Sequence, residues 1–203
     1  MRIDLSSLAS RDAYRWMTST ILPRPIAWVS TISPEGKTNL APFSFFQGIT
    51  SNPPSLMFVP VNLRDGSKKD TVKNIEATKQ FVVNLVSYAQ AELMNNSAAV
   101  LPYGESEFDA FHVPSVASDV VKPPRVASAP VSFECELHSI TRLGEGAAAA
   151  NVVFGLIKLM HVDDTVLDAS GNVDPVKLDL VARLGGESYV RMGEAFTLKR
   201  PDR

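Results

Sequence analysis

Short runs rich in β-branched and aromatic residues, each closed by a turn that holds proline or glycine, constrain this chain more than any other feature. Ile26 to Ile32 is such a run and reads as a strand. Ser33-Pro34-Glu35-Gly36-Lys37 follows, with hairpin chemistry, so Thr38 to Pro42 should return antiparallel. Asn52-Pro53-Pro54 breaks the chain again. Leu56 to Val61 is a third strand, in which Pro60 points to a sheet edge or a bulge. Lys68 to Lys79 has helical spacing, with Val72 and Ile75 on one face and Ser67 or Asp70 placed to cap its start. Gln80 to Val86 is a strand, and Ser87 to Ala99 a second helix with Ala91, Leu93 and Met94 inward.

Further along, Val131, Phe133, Cys135 and Leu137 alternate with Ser132, Glu134, Glu136 and His138, which predicts a half-buried antiparallel strand. Asn151 to Val162 is apolar on both faces and needs cover on both sides. Asp174 to Leu184 reads as a short helix, and Ser188 to Leu198 has no clear type. Strands joined by hairpins, with two or three helices, predict a mostly β (α+β) antiparallel barrel with flanking helices.

The 203 residues suit one domain spanning 1–203, and the fourteen prolines are scattered with no linker among them. Twenty Lys and Arg against 22 Asp and Glu argue against a nucleic-acid binder, which needs a basic excess. One cysteine, Cys135, rules out an intramolecular disulfide and a zinc site built on cysteines, and favours a reducing compartment. Met1 to Trp16 lacks the apolar core of a signal peptide, and Ala147 to Ile157 is too short to span a bilayer. A soluble, cytoplasmic protein is expected.

Several patterns invite a chemical reading. Gly144-Glu145-Gly146-Ala147-Ala148-Ala149 fits a dinucleotide fingerprint, with Asp164 20 residues past Gly144. That motif requires a helix next, yet Asn151 to Gly155 is strand material, so a hairpin tip is the better reading. His112, His138 and His161 show no zinc-hydrolase spacing, and no metal site is expected. Cys135 points inward and reads as a structural thiol.

Two stretches remain. Asn39-Leu40-Ala41-Pro42-Phe43-Ser44-Phe45-Phe46 crowds three phenylalanines around a proline and small polar residues. It is either core filling or a wall for a flat aromatic ligand, with Asn39 and Ser44 offering hydrogen bonds. Arg64 to Thr71 gathers one guanidinium, two ammoniums and two hydroxyls just before a helix. Alone it is a solvated helix start; beside an aromatic slot it suits a phosphate. A flat ring plus one phosphate suggests a mononucleotide-like cofactor.

At these residues a resemblance emerges. Pro23-Arg24-Pro25-Ile26-Ala27-Trp28-Val29-Ser30-Thr31, the run Gly36 to Phe46, Pro53-Pro54, Lys69-Asp70-Thr71-Val72-Lys73-Asn74-Ile75 and Arg183-Leu184-Gly185-Gly186-Glu187-Ser188-Tyr189 follow one another in order. Together they resemble the flavin reductase-like family with its FMN-binding split barrel, and its flavoredoxin-like branch in particular. The resemblance implies a homodimeric split barrel holding FMN non-covalently near the subunit boundary. By position it implies that Asn39, Ala41, Pro42, Phe43, Ser44 and Phe45 face the isoalloxazine ring. It further implies that Arg64, Ser67, Lys69 and Thr71 surround the phosphate and that Gly185, Gly186 and Tyr189 close the pocket. Such proteins typically move electrons from NAD(P)H to flavin; others keep FMN fixed and pass electrons to a protein acceptor. A flavin-binding module without turnover is a further alternative. No acid–base pair stands out, in keeping with chemistry supplied by the cofactor.

Overall fold

The structure, a computed structural model, describes residues 1–201. In chain order its elements are α1 (Ser10–Thr20), β1 (Arg24–Pro25), β2 (Ala27–Ile32), β3 (Thr38–Phe43), β4 (Phe46–Ser51), β5 (Pro54–Phe58), α2 (Asp70–Thr78) and β6 (Gln80–Asn84). There follow α3 (Ala91–Asn96), α4 (Glu107–Ala110), β7 (Ser115–Val116), β8 (Arg125–Val126), β9 (Val131–Leu143) and β10 (Ala150–Val162). The last are α5 (Pro175–Leu178), β11 (Val181–Arg183) and β12 (Tyr189–Arg191).

Seven strands form one sheet in the order β3-β2-β6-β9-β10-β5-β4, with every pairing antiparallel. The two edges of that sheet, β3 and β4, are consecutive in the chain, joined by Ser44 and Phe45 alone. Laid flat, six inter-strand steps would separate them by roughly 29 Å. Three Cα steps span at most about 11 Å. The sheet therefore rolls until its edges nearly meet, giving a barrel split along the β3–β4 seam.

The barrel interior holds Ala27, Val29, Phe43, Phe58, Phe81, Val83, Cys135 and Val153. Phe58 lies 5.3 Å from Phe43 and 5.4 Å from Phe81, the offset geometries that aromatic pairs prefer. The Phe81 ring occupies the space above Gly155, where an added Cβ would overlap the ring. Gly155 is thus required by close approach, although its backbone is ordinary. α2 contributes Ile75 to the same interior. A second cluster outside the sheet joins Trp28 and Leu40 to Met94 of α3, Phe108 of α4 and Val181 of β11. The buried Trp28 indole donates to Ser97 Oγ at 2.8 Å, so its polar edge is satisfied.

Several expectations change here. The strand expected over Leu56 to Val61 stops at Phe58 and lies inside the sheet; pairing resumes at Val61 opposite Ala150 in unchanged register. Pro60 sits in the gap, where its missing N–H costs no ladder bond, and its carbonyl accepts from Asn151 N–H at 2.9 Å. Neither Ser67 nor Asp70 caps α2: Lys69 holds the cap position without a side-chain bond, and Ser67 is bonded to Asp65 Oδ1. The Ser87–Ala99 segment is a single 3-10 turn leading into α3, with Met94 buried as expected. Asp174 does cap a helix, but α5 ends at Leu178. Asp179 turns into the left-handed region, and its carboxylate pairs with Arg191, so the chain continues as β11 rather than helix. The polar N-terminal segment, for which the residues indicated no element, contains α1.

The β9 strand is not half-buried at its start. Ser132 and Glu134 are as enclosed as their apolar neighbours, because the 117–126 loop covers that face. Glu134, fully buried, accepts the N–H groups of Asp119, Val120 and Val121 and bonds His161 Nε2 at 2.6 Å. Burial pushes its carboxyl upward. The three N–H donors and His161 outweigh that and hold it below the usual glutamate range.

Candidate functional site

The split exposes β3 at the sheet edge, and two clefts meet over it. The first, about 210 Å³, is lined by Asn39, Ala41, Pro42, Lys69, Thr71, Lys73, Tyr103 and Glu107, among others. The second, about 170 Å³, is lined by Ile26, Pro42, Phe43, Ser44, Met94, Asn95, Arg183 and Tyr189, with Ala98. Both include Pro42 and Ala98, so they form one bilobed depression. A roomier groove of about 330 Å³ lies near Pro23, Leu85, Leu180 and Met192. Its one charged lining residue, Arg191, is paired with Asp179, leaving it without groups for chemistry.

Local sequence explains this edge. Pro42 gives an edge strand a position with no N–H to recruit a further strand, and Ala41 beside it is small. Asn39 is buried, and its Nδ2 donates to Thr71 Oγ1 at 3.1 Å, tying β3 to the start of α2. No side chain caps α2, so its first N–H groups remain open to an incoming acceptor. Lys69 and Lys73 place two ammoniums on the same cleft; Lys73 bonds Asp70 at 3.0 Å and lies over the Tyr103 ring.

Of the residues expected here, Asn39, Ala41, Pro42, Phe43, Ser44, Lys69, Thr71 and Tyr189 line the joined depression. Phe45 does not: it turns to the other side of the seam, edge-on to Tyr14 and 5.8 Å from the Arg24 guanidinium. Arg64 is exposed on the preceding turn, and Ser67 is committed to Asp65. Gly185 packs on α1, where an added Cβ would lie 2.9 Å from Ser19 Oγ. Gly186 closes a turn, its carbonyl accepting from Arg183 at 2.6 Å.

Lys73, Asn95, Tyr103, Glu107 and Arg183 enter the site without having been singled out. Lys73 and Arg183 fall within motifs already noted, so a wider reading of those stretches would have reached them. Asn95, Tyr103 and Glu107 lie in segments whose composition carries no signal. Glu107 is buried and its Oε2 accepts from Leu40 N–H at 2.8 Å, fastening β3 to α4. Burial raises its carboxyl above the usual glutamate range, against the lowering effect of the Leu40 N–H. Elsewhere, Asp119, Glu134 and His161 come within 4.8 Å of one another, a cluster that no sequence spacing indicated. Glu134 already uses both oxygens on amides and His161, which marks the cluster as a loop fastening.

Comparison with known proteins places this geometry. The flavin reductase like domain profile matches residues 17–176. Nitrilotriacetate monooxygenase component B from Bacillus cereus is 31% identical with a TM-score of 0.91, the match covering 98% of each chain. The 2-nitrobenzoate 2-nitroreductase NbaA of Pseudomonas fluorescens is 31% identical with a TM-score of 0.88, covering 99% of this chain and 96% of that one. Flavoredoxin of Desulfovibrio vulgaris (Miyazaki F) shares the fold at 21% identity and a TM-score of 0.76, over 98% and 97% of the two chains.

Glu107→Gln keeps an acceptor for Leu40 N–H and removes the buried charge. A carboxyl raised on folding adds stability below its unfolded pKa, and that stability is lost as pH rises through its folded value. The wild-type chain should therefore lose stability relative to Glu107→Gln as pH rises just above the ordinary glutamate range. Denaturant midpoints measured for both proteins across that range check this; a difference independent of pH refutes it.

Proposed function

This chain belongs to the flavin reductase-like family, and we propose that it is an FMN-dependent oxidoreductase passing electrons from NAD(P)H to bound or free flavin. One observation carries the reading: an apolar barrel edge at Ala41 and Pro42 runs into the uncapped start of α2, where Lys69 and Lys73 stand beside Asp70. The donors there are Lys69, Lys73, the Thr71 hydroxyl and helix-end amides, a set suited to a phosphate dianion. The wall offers a narrow apolar face suited to an aromatic ring. The residues present therefore fit FMN. Two similar proteins, a monooxygenase component and a nitroreductase, carry oxidoreductase names, which supports the same class.

Bound FMN would supply the hydride-accepting chemistry. The chain's own residues do the rest. Lys69, Lys73 and Thr71 anchor the phosphate. Ala41 and Pro42 set the plane of the ring and keep water off one face. Asn39, fixed through Thr71, couples the ring wall to the phosphate end. Glu107 holds β3 in place through Leu40 N–H. No dinucleotide fingerprint followed by a helix is present, so the nicotinamide would stack on the open ring face, and its affinity would be modest.

The family reading carries further parts. The whole chain acts as one domain. Two copies pair as a homodimer, supported by β10, whose Val152, Phe154 and Leu156 are only half covered and whose Met160 is exposed. A reducing, cytoplasmic setting fits the single, buried, unpaired Cys135. Among the described residues no helix is long and apolar enough to cross a membrane.

Three measurements test these statements. Lys69→Ala should weaken FMN about tenfold to a hundredfold by removing one charge-assisted contact worth ~1.5–3 kcal/mol. Riboflavin binding should hardly change; equal weakening of both removes the phosphate assignment. Anaerobic stopped-flow mixing of the FMN-loaded protein with NADH or NADPH should bleach the flavin within seconds. No bleaching at full occupancy turns the reading to an electron carrier with fixed FMN. Light scattering at micromolar concentration should give twice the chain mass, and a monomer mass refutes the dimer.

A further inference from the structure

The second lobe of the depression differs in chemistry from the first, and it is not needed to hold a phosphate at α2. Its floor is apolar: Ile26, Pro42, Phe43 and Met94. Its polar groups are donors. The Tyr189 hydroxyl donates to Asn95 Oδ1 at 2.9 Å, and among the described residues the amide Nδ2 has no hydrogen-bond partner. Arg183 lies 4.4 Å over the Tyr189 ring and donates one N–H to Gly186. Among the described residues it forms no ion pair with a carboxylate. The Ser44 hydroxyl accepts at 3.4 Å from Arg24 and keeps its own proton to offer. Among the described residues, no acidic side chain lines this lobe.

A guanidinium, an amide N–H2 and a hydroxyl above an apolar floor, with no carboxylate among them, make a receptor for an anion on a flat, unsaturated body. A neutral ligand gains little from such a set, because an open guanidinium in a partly enclosed lobe is best matched by negative charge. We propose that this lobe binds the anionic group of the second substrate, with Arg183 as its anchor and Asn95 and Ser44 as supporting donors. The inference rests on the flavin reading for the word substrate, but the anion site itself does not require flavin. The matching chemistry occurs in an aromatic carboxylate and in the phosphates of NAD(P)H.

The probe is benzoate, with benzamide as its neutral counterpart, titrated calorimetrically into the chain with and without FMN. Benzoate should bind at least tenfold more tightly than benzamide. Arg183→Gln should weaken benzoate tenfold or more, and Arg183→Lys should recover part of the loss. Thermal unfolding of each variant separates lost binding from lost folding. Equal binding of benzoate and benzamide, or an unaffected benzoate titration in Arg183→Gln, overturns the proposal. So does a loss of FMN affinity in Arg183→Gln with benzoate unchanged, because it would assign Arg183 to the flavin phosphate. Benzoate binding in a chain that fails to bind FMN supports the anion site while refuting the flavin reading. Steady-state KM values then identify the source. A rise in Arg183→Gln for NADPH alone points to the 2′-phosphate, and a rise for both nucleotides to the pyrophosphate. No change for either points to the carboxylate of an acceptor.

Discussion

Two residues, Ser44 and Phe45, join the opposite edges of a seven-stranded sheet, and most of the molecule is arranged around that short link. The link is too short for a flat sheet, so the sheet curls. Curling encloses Phe43, Phe58 and Phe81 as an aromatic interior, each ring contributing roughly 1.5–3 kcal/mol by burial. It also leaves a seam where one edge strand, β3, faces outward. The two faces of the link diverge: Ser44 looks into the depression, and Phe45 packs against Tyr14 of α1.

Arg24 keeps the seam in position. Its buried guanidinium donates to Thr18 and Ile21 carbonyls at the end of α1, to the Leu184 carbonyl after β11, and more weakly to Ser44. One side chain thus satisfies orphan carbonyls of a helix end and ties α1, the end of β11 and the seam together. Glu134 has the complementary role across the barrel, an acceptor holding three loop amides and His161. Both are charged groups made tolerable by extensive hydrogen bonding, which a buried charge requires.

The site inherits its character from these constraints. An edge strand normally invites another strand, but β3 offers a proline and is fastened by Glu107 and by the Thr38–Ser106 hydroxyl pair. What remains open is the depression over Pro42 and Ala98. Lys69 and Lys73 flank one lobe together with Asp70 and Glu107, and Arg183 flanks the other, with Pro42 and Ala98 shared between them. Tyr189, already expected at the pocket, proves to belong to the Arg183 end, where it orients Asn95.

The sequence by itself determined the local elements: the β2–β3 hairpin from Pro34 and Gly36, α2 from its periodicity, the hairpin tip at Gly144 from the strand that follows it. It also marked Asn39 to Phe46 as either core filling or the wall of a ligand site, because a proline among small residues has a local meaning. Neighbouring residues set φ, ψ and turn chemistry directly, so these features need no distant partner. Tertiary structure alone decided which groups converge. Glu134 falls on the polar face of an alternating strand, yet a loop lying within 20 residues of it covers that face and buries it. Arg64 and Ser67 sit beside Lys69 in the chain, but the turn built on Asp65 carries them away from the cleft. Glu107, Asn95 and Arg183 reach β3 only because the sheet rolls and α3, α4 and β11 pack across it. Their placement depends on contacts between residues as many as 160 positions apart, such as Arg24 with Leu184, and periodicity carries no information at that range.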